Sequence, residues 1–154
     1  MQIRDILREK GTQVVTIGPR QAIHDVIDKL NEHGIGALVV MDDNEEVAGI
    51  ITERDILHIC GNLIPRAQDS GTQEKPDSSL VVEDAMTKDL IIGVPDDNLN
   101  YVMGIMSKNH IRHLPILDNG KLEGIVSIGD LVSARLEQQV FENRNLRDYI
   151  QGAM

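Results

Sequence analysis

Two stretches of the chain place apolar residues at the spacing of a one-sided amphipathic helix. The positions follow i, i+3, i+4 and i+7 in both stretches, with Ile23, Val26, Ile27 and Leu30 in one and Leu99, Val102, Met103 and Met106 in the other. An α-helix repeats every 3.6 residues, so this spacing gathers the side chains on one face. Pro19 and Pro95 precede the two stretches, where the fixed φ of proline suits the entry to a helix. The pattern therefore predicts a helix after each proline.

Each predicted helix is followed by two short apolar runs that a polar turn separates. The runs are residues 37–41 and 47–51 in the first half, and residues 114–117 and 122–126 in the second. The turns, Asp42-Asp43-Asn44 and Asp118-Asn119-Gly120, favour a β-hairpin in each half. A further apolar run precedes each helix, at residues 13–17 and 90–94. The predicted unit is therefore β-α-β-β-α.

The same order of elements occurs twice along the chain. Residues 95–132 echo residues 19–57, and the two copies share proline, valine, glycine and aspartate at matching positions. Internal similarity of this kind indicates a duplicated supersecondary unit. The sequence thus predicts an α/β (α+β) fold of two β-α-β-β-α repeats that pack with pseudo-two-fold symmetry.

The repeat also predicts domain boundaries. We expect the first repeat, with a short helical lead-in, over residues 1–62, and the second repeat over residues 80–135. Residues 63–79 between them are rich in small polar residues and prolines, which is typical of a linker. Residues 136–154 form a helix-compatible tail. Its apolar stripe, formed by Leu136, Val140 and Phe141, is expected to dock on its own chain or on a second copy.

The overall charge narrows the classes of partner. The formal net charge is −10 at pH 7. Binding to nucleic acid depends on neutralising phosphates with Lys and Arg, so this charge argues against nucleic acid and against an anionic membrane surface. A small anionic ligand needs only two or three local positive groups and is not excluded.

Cysteine content and hydropathy indicate a cytoplasmic protein. The apolar runs are much shorter than the ~20 residues of a membrane span. Charged residues near the start stand where a signal peptide needs an apolar run. Cys60 is the single cysteine, which excludes an internal disulfide and fits a reducing compartment. Cys60 is expected to be a small buried apolar residue, with a reactive thiol as the alternative.

Catalytic and metal-binding motifs are missing from the sequence. The five histidines show no H-E-x-x-H spacing, and the chain has no C-x-x-C pair, so we predict no metal site. Neither the G-x-S-x-G motif nor a phosphate-binding loop occurs. We therefore predict that the protein is not an enzyme and needs no catalytic cofactor.

The corners between hairpin and following helix are the best candidates for a binding site. They contain Thr52 with Asp55 in the first repeat, and Ser127 with Asp130 in the second. A carboxylate accepts hydrogen bonds only and can take both hydroxyls of a ribose. Backbone N–H groups at a helix start favour anions, and Arg54 adds a phosphate donor. The competing interpretation is an ordinary capping box, which needs no ligand.

These corners give the chain its resemblance to a known family. The motif G-h-h-[ST]-x-x-D occurs in both halves, and the second half adds HIRHLPILD, residues 110–118. In these motifs the sequence resembles a tandem pair of cystathionine-β-synthase (CBS) domains, the ligand-sensing unit called a Bateman module. The resemblance covers residues 1–62 and 80–135. The first half departs from the family pattern at Val39, where proline is usual.

The resemblance implies two adenosine-binding clefts between the halves. One cleft would use Asp130 for the ribose, Ser127 and Gly129 near the phosphate, and Val15, Ile35, Gly36 and Ala37 against the adenine. The other would use Asp55, Thr52 and Arg54, with Ile91 and Ile111 against the adenine. Arg112 and His113 would face phosphate in either cleft, and Ile125 is counted among the ligand-binding residues.

On this basis we expect a stand-alone regulatory protein of signal transduction. The implied ligand is AMP, ADP, ATP, NAD or S-adenosylmethionine, and binding would change the packing of the halves or the contacts with a partner. The resemblance also implies a homodimer, and a separate protein target is open. The alternative is a ligand-free module for dimerisation or protein interaction.

Overall fold

The computed structural model describes residues 1–63 and 80–152. The helices are α1 (Ile3–Lys10), α2 (Ile23–His33), α3 (Glu53–Leu63), α4 (Val82–Ala85), α5 (Leu99–Asn109) and α6 (Ile128–Gly152). The strands are β1 (Thr16–Ile17), β2 (Ala37–Met41), β3 (Val47–Thr52), β4 (His113–Asp118) and β5 (Lys121–Ser127). This order confirms the predicted mixed fold of two repeats. The predicted linker lies outside the described residues from residue 64 onward.

The chain divides into two compact units that do not follow the chain order. The unit that we call the first-repeat unit takes in Gln13–Ile91 and Gly120–Leu122. The second-repeat unit takes in Met1–Thr12, Ile92–Asn119 and Glu123–Met154. Helix α1 therefore belongs with the second repeat, and helix α4 with the first. The domain boundaries that we expected along the chain stay a prediction.

A three-stranded sheet lies at the centre of the first-repeat unit. Strand β2 pairs with β1 in parallel and with β3 antiparallel, with Ala37 opposite Thr52. The buried core consists of Ile17, Val26, Leu30, Leu38, Val40, Ile51 and Val82. Strand β1 is shorter than the predicted residues 13–17, because its pairing weakens toward the N-terminus. The Val39 N–H to Val15 carbonyl distance is already 3.4 Å.

Strands β4 and β5 form a two-stranded sheet that belongs, apart from Lys121 and Leu122, to the second-repeat unit. The prediction of a strand over residues 90–94 was wrong in extent. Only Gly93 pairs there, in an isolated parallel bridge to Ile116. A Cβ atom on Gly93 would lie 2.9 Å from the Ile116 side chain, and Pro95 brings no N–H to extend the ladder. The bridge therefore depends on glycine and stays one residue long.

Helices α2 and α5 end in the same way in the two repeats. Gly34 after α2 has φ 62°, and His110 after α5 has φ 54°, both in the left-handed conformation. In each case the N–H of this residue bonds back to a carbonyl in the last turn of the helix. Gly34 is therefore explained by the turn from helix to strand.

Each lead-in segment packs against a glycine at the same position of a repeat. A Cβ atom on Gly124 would lie 2.7 Å from Leu7 of α1. A Cβ atom on Gly49 would lie 2.7 Å from the Thr87 carbonyl and 2.9 Å from the Met86 sulfur, just after α4. At these distances, a residue with a Cβ atom would fit only if the neighbouring atoms moved away. The glycines thus bring the ends of both lead-in segments close to the hairpin-to-helix corners.

Candidate functional site

The first-repeat corner is a capping box. The Thr52 N–H donates to the Asp55 Oδ2 atom at 2.9 Å, and the Asp55 N–H donates to the Thr52 hydroxyl at 3.4 Å. This reciprocal pair starts α3 directly after β3. The Thr87 hydroxyl, from the segment after α4, lies 3.5 Å from the Asp55 Oδ1 atom.

The second-repeat corner has the same arrangement. The Ser127 N–H donates to the Asp130 Oδ2 atom at 2.8 Å, and the Asp130 N–H donates to the Ser127 hydroxyl at 3.1 Å. The Ile128 N–H, at the start of α6, donates to the Arg112 carbonyl at 2.9 Å. The capping interpretation is thus confirmed at both corners. It does not exclude a ligand, because a cap occupies only part of each carboxylate.

One charged contact distinguishes the two corners. The Lys10 Nζ atom, in the last turn of α1, lies 2.6 Å from the Asp130 Oδ2 atom and 2.8 Å from the Ile125 carbonyl. The side chains of Lys10 and Asp130 are 34% and 26% exposed. At the first-repeat corner the corresponding contact comes from the neutral Thr87 hydroxyl. The sequence interpretation missed Lys10, because only the packing of α1 brings this residue to Asp130, which is distant in the sequence.

The environment of Asp130 keeps its carboxylate ionised. Burial raises the pKa of Asp130, but the hydrogen bond from Lys10 and the bonds from Ser127 lower it by more. The result is a pKa below the ordinary value of an aspartate. The Lys10 ammonium group and the Ser127 N–H both donate to its Oδ2 atom.

The other predicted site residues fall into both units. Val15, Ile35, Gly36, Ala37, Arg54 and Ile91 belong to the first-repeat unit, and Ile111, Arg112, His113, Ile125 and Gly129 to the second-repeat unit. The Gly36 carbonyl accepts the Glu53 N–H at 2.9 Å, so the start of β2 lies beside the first-repeat corner. The predicted combination of Asp130 with Val15 and residues 35–37 draws on residues of both units and stays a prediction.

Each unit also contains a cavity beside its corner helix. In the first-repeat unit a cavity of about 460 Å³ lies between α2 and α3 and is mostly apolar, with Glu53 at its edge. In the second-repeat unit a cavity of about 300 Å³ lies between α1 and α6. Its charged lining residues are Asp5, Glu9, Lys10, Asp130 and Glu137. The second cavity therefore has an excess of negative charge.

Three further expectations concern features outside the corners. Cys60 is half-buried in α3, so it is less enclosed than the buried residue that we expected. Within residues 1–63 and 80–152, no three His, Cys, Asp or Glu side chains lie close enough together to hold a metal ion. In the same part of the chain, no helix has the length and apolar character needed to cross a membrane.

Comparison with known proteins identifies the family. The model of the CBS domain matches the chain twice, at residues 3–62 and 82–137. The chain belongs to the CBS-domain family. Both corners, with their capping boxes, lie inside the matched regions, and the two matches make the chain a CBS pair.

Relatives of known sequence and structure agree with this assignment. The mitochondrial CBS domain-containing protein CBSX3 of Arabidopsis thaliana is 33% identical over 97% of this chain and 72% of its own length. The crystal structure of a CBS-domain containing protein from Agrobacterium tumefaciens has a TM-score of 0.76 at 36% identity, covering 87% of this chain and 92% of that one. The crystal structure of CBSX2 in complex with AMP has a TM-score of 0.70 at 25% identity, covering 90% and 98%.

The ion pair at the Asp130 corner predicts a pH-dependent stability difference. We expect Asp130→Asn to lower the free energy of unfolding at pH 7. In a double-mutant cycle with Lys10→Met, we expect a coupling free energy between the two side chains of about 0.5–1 kcal/mol. The pKa of Asp130 is lower in the folded protein than in the unfolded chain. The stability that its ion pair contributes is therefore fully present above about pH 4 and is lost as the pH falls through the pKa of Asp130 in the folded protein.

The coupling is measured by urea unfolding of the wild-type protein, the two single variants and the double variant at pH 7 and pH 3.5. The predicted result is a coupling that shrinks at the lower pH. A coupling of zero at pH 7, or one that grows on acidification, would contradict the ion pair.

Proposed function

We propose that this CBS pair is a regulatory protein that binds an adenine nucleotide at its corner carboxylates. The observation that carries the proposal is the Asp130 corner. There the carboxylate is held by the Ser127 N–H and the Lys10 ammonium group and is ionised. An ionised carboxylate in a fixed position can accept the hydroxyls of a ribose. The complex of the similar protein CBSX2 with AMP supports this ligand class.

The start of each corner helix supplies groups that favour a phosphate. The helix dipole attracts anions at the N-terminus of α3 and of α6. Arg54 lies in the first turn of α3 and is exposed, and Arg112 is an exposed residue whose carbonyl bonds to the start of α6. We therefore assign the phosphate-facing positions to Thr52 with Arg54 and to Ser127 with Gly129 and Arg112. The ligand class remains AMP, ADP, ATP, NAD or S-adenosylmethionine.

The proposed role is regulation without catalysis. A bound nucleotide can shift a conformational equilibrium only by the difference in its affinity for the two states. A ligand held by the Asp130 carboxylate at the start of α6 lies beside the end of α1, whose Lys10 contacts the same carboxylate. Its binding therefore has the means to change packing or partner contacts, and thereby to signal to a protein target.

An exposed face of α6 supports a homodimer. Val132, Leu136, Val140 and Ile150 are 42%, 56%, 67% and 61% exposed and form one stripe. Phe141, which we expected in this stripe, is 66% exposed but lies about 100° around the helix from Val140. At 100° per residue this stripe lies about 150° around the helix from the buried Leu131 and Ala134. A 25-residue helix with such a face fits a second copy of the same helix. The same surface also supports the alternative, a ligand-free interaction module.

Nucleotide binding is tested by thermal unfolding with AMP, ADP, ATP, NAD and S-adenosylmethionine in turn. A ligand at about 100 times its dissociation constant should stabilise the protein by about 2.7 kcal/mol. Asp130→Ala and Asp55→Ala should each reduce the shift, because each removes a ribose acceptor. Asp148→Ala, an exposed aspartate near the end of α6, is the control and should keep the full shift. If none of the five ligands stabilises the wild-type protein, the proposal fails and the interaction module remains.

The homodimer is tested by sedimentation equilibrium at micromolar concentration. We expect a mass of about twice 17.1 kDa for the wild-type protein. Leu136→Glu should weaken the dimer at least tenfold, because it places a charge in the apolar stripe. Asn145→Glu, on the opposite side of the helix, should leave the dimer intact. A wild-type protein that sediments as a monomer would exclude this assembly.

A further inference from the structure

Lys10 is the charged group at the second-repeat corner that the proposed nucleotide site does not use. Its Nζ atom contacts both the Asp130 carboxylate and the Ile125 carbonyl. An ammonium group carries three N–H donors and no acceptor. The two contacts account for two donors, so one donor remains for a ligand.

The position of Lys10 is fixed by the fold of the lead-in helix. Lys10 is the last residue of α1, and Gly11 ends the helix with φ 95°. Leu7, one turn earlier, packs on Gly124 at the strand that leads to the corner. Ile3, Ile6 and Leu7 are buried, so α1 is anchored by its apolar face. The ammonium group is thus delivered to the corner by a packed helix, on a stem that is itself flexible.

The first-repeat corner shows that this charge is not part of the repeat. There the Thr87 hydroxyl, rather than an amine, lies near the Asp55 carboxylate, at 3.5 Å. Lys88, the next residue, is exposed. The two corners therefore share the cap and the carboxylate and differ in the charge that the lead-in segment brings.

The cavity beside the ion pair indicates the side from which an anion can approach. Asp5, Glu9 and Glu137 line the cavity between α1 and α6 together with the pair. Three further carboxylates make this space unfavourable for a phosphate. A phosphate therefore meets Lys10 on the side of the Ser127 turn and the start of α6, where the helix dipole adds to its attraction.

We infer that Lys10 makes the Asp130 corner select adenosine ligands that carry a phosphate. The ribose hydroxyls bind the Asp130 carboxylate, and the remaining donor of Lys10 binds the phosphate. A nucleoside without phosphate gains nothing from the ammonium group and must still share Asp130 with it. This inference rests on the proposed function, because it assigns the ligand class of the same corner.

The test compares AMP with adenosine by isothermal titration of the full chain. Lys10→Met keeps the length of the side chain and removes its charge, and should weaken AMP binding about tenfold, the scale of one charge-assisted hydrogen bond. Adenosine binding should change by less than about twofold. The ratio of AMP affinity to adenosine affinity should therefore fall by nearly the full loss of AMP affinity. Lys10→Arg should restore most of the preference. Lys88→Met, in the other lead-in segment, is the matched control and should leave both affinities of this corner unchanged.

Each outcome supports or overturns the assignment. Equal losses for AMP and adenosine in Lys10→Met would mean that Lys10 only supports the corner, and unchanged binding of both would mean that it has no role. Either result would overturn this inference and leave the nucleotide site standing. A wild-type protein that binds neither compound would remove the proposed function, and this inference with it. Melting of each variant without ligand verifies that it is folded.

Discussion

The close approach of a lead-in segment to a glycine of a central strand is the constraint on which both corners depend. Gly124 admits Leu7, and Gly49 admits the backbone at Thr87 together with Met86. A side chain at either glycine would push the segment away from the strand. Because the lead-in segment ends beside the carboxylate, the same contact decides which group meets that carboxylate. The close contact between the glycine and the lead-in segment therefore determines both how the segment packs and which group reaches the carboxylate.

The duplication produces two corners that have the same backbone arrangement but differ in the charge of the group beside the carboxylate. Both carboxylates close a capping box, so both are held by a backbone N–H at a helix start. A cap of this kind fixes the position of the carboxylate at the start of the helix. The lead-in segments then differ, with an ammonium group at Asp130 and a hydroxyl at Asp55. Under the proposed function, this difference gives the two corners different ligand preferences.

Sequence patterns predicted the parts of this structure that are determined by residues close together in the chain. The hairpins and the helices after Pro19 and Pro95 lie where periodicity placed them, and the turn at Asn119 and Gly120 has the positive φ that its residues favour. The corner caps were likewise recognisable from a hydroxyl and a carboxylate three residues apart. Periodicity overestimated the leading strands, because their length depends on pairing with residues far along the chain.

The association of α1 with the second repeat could not be predicted from these patterns. Nothing in residues 3–10 indicates which glycine they pack against, because that contact is between Leu7 and Gly124, distant in the sequence. Lys10 was missed for the same reason. A lysine at a helix end is common on a solvated surface, and only the packed helix brings this one to a carboxylate. Side chains of the corner itself were predictable, whereas those delivered by distant packing were not.

The central claim is that the corner carboxylates recognise the hydroxyls of a ribose. The most direct measurement is the affinity of the wild-type protein and of Asp130→Ala for AMP and for its 2′,3′-dideoxy analogue. The account predicts that removing both hydroxyls weakens binding to the wild-type protein by about tenfold or more, and that Asp130→Ala loses most of this discrimination. Equal affinity of the wild-type protein for the two compounds would contradict it.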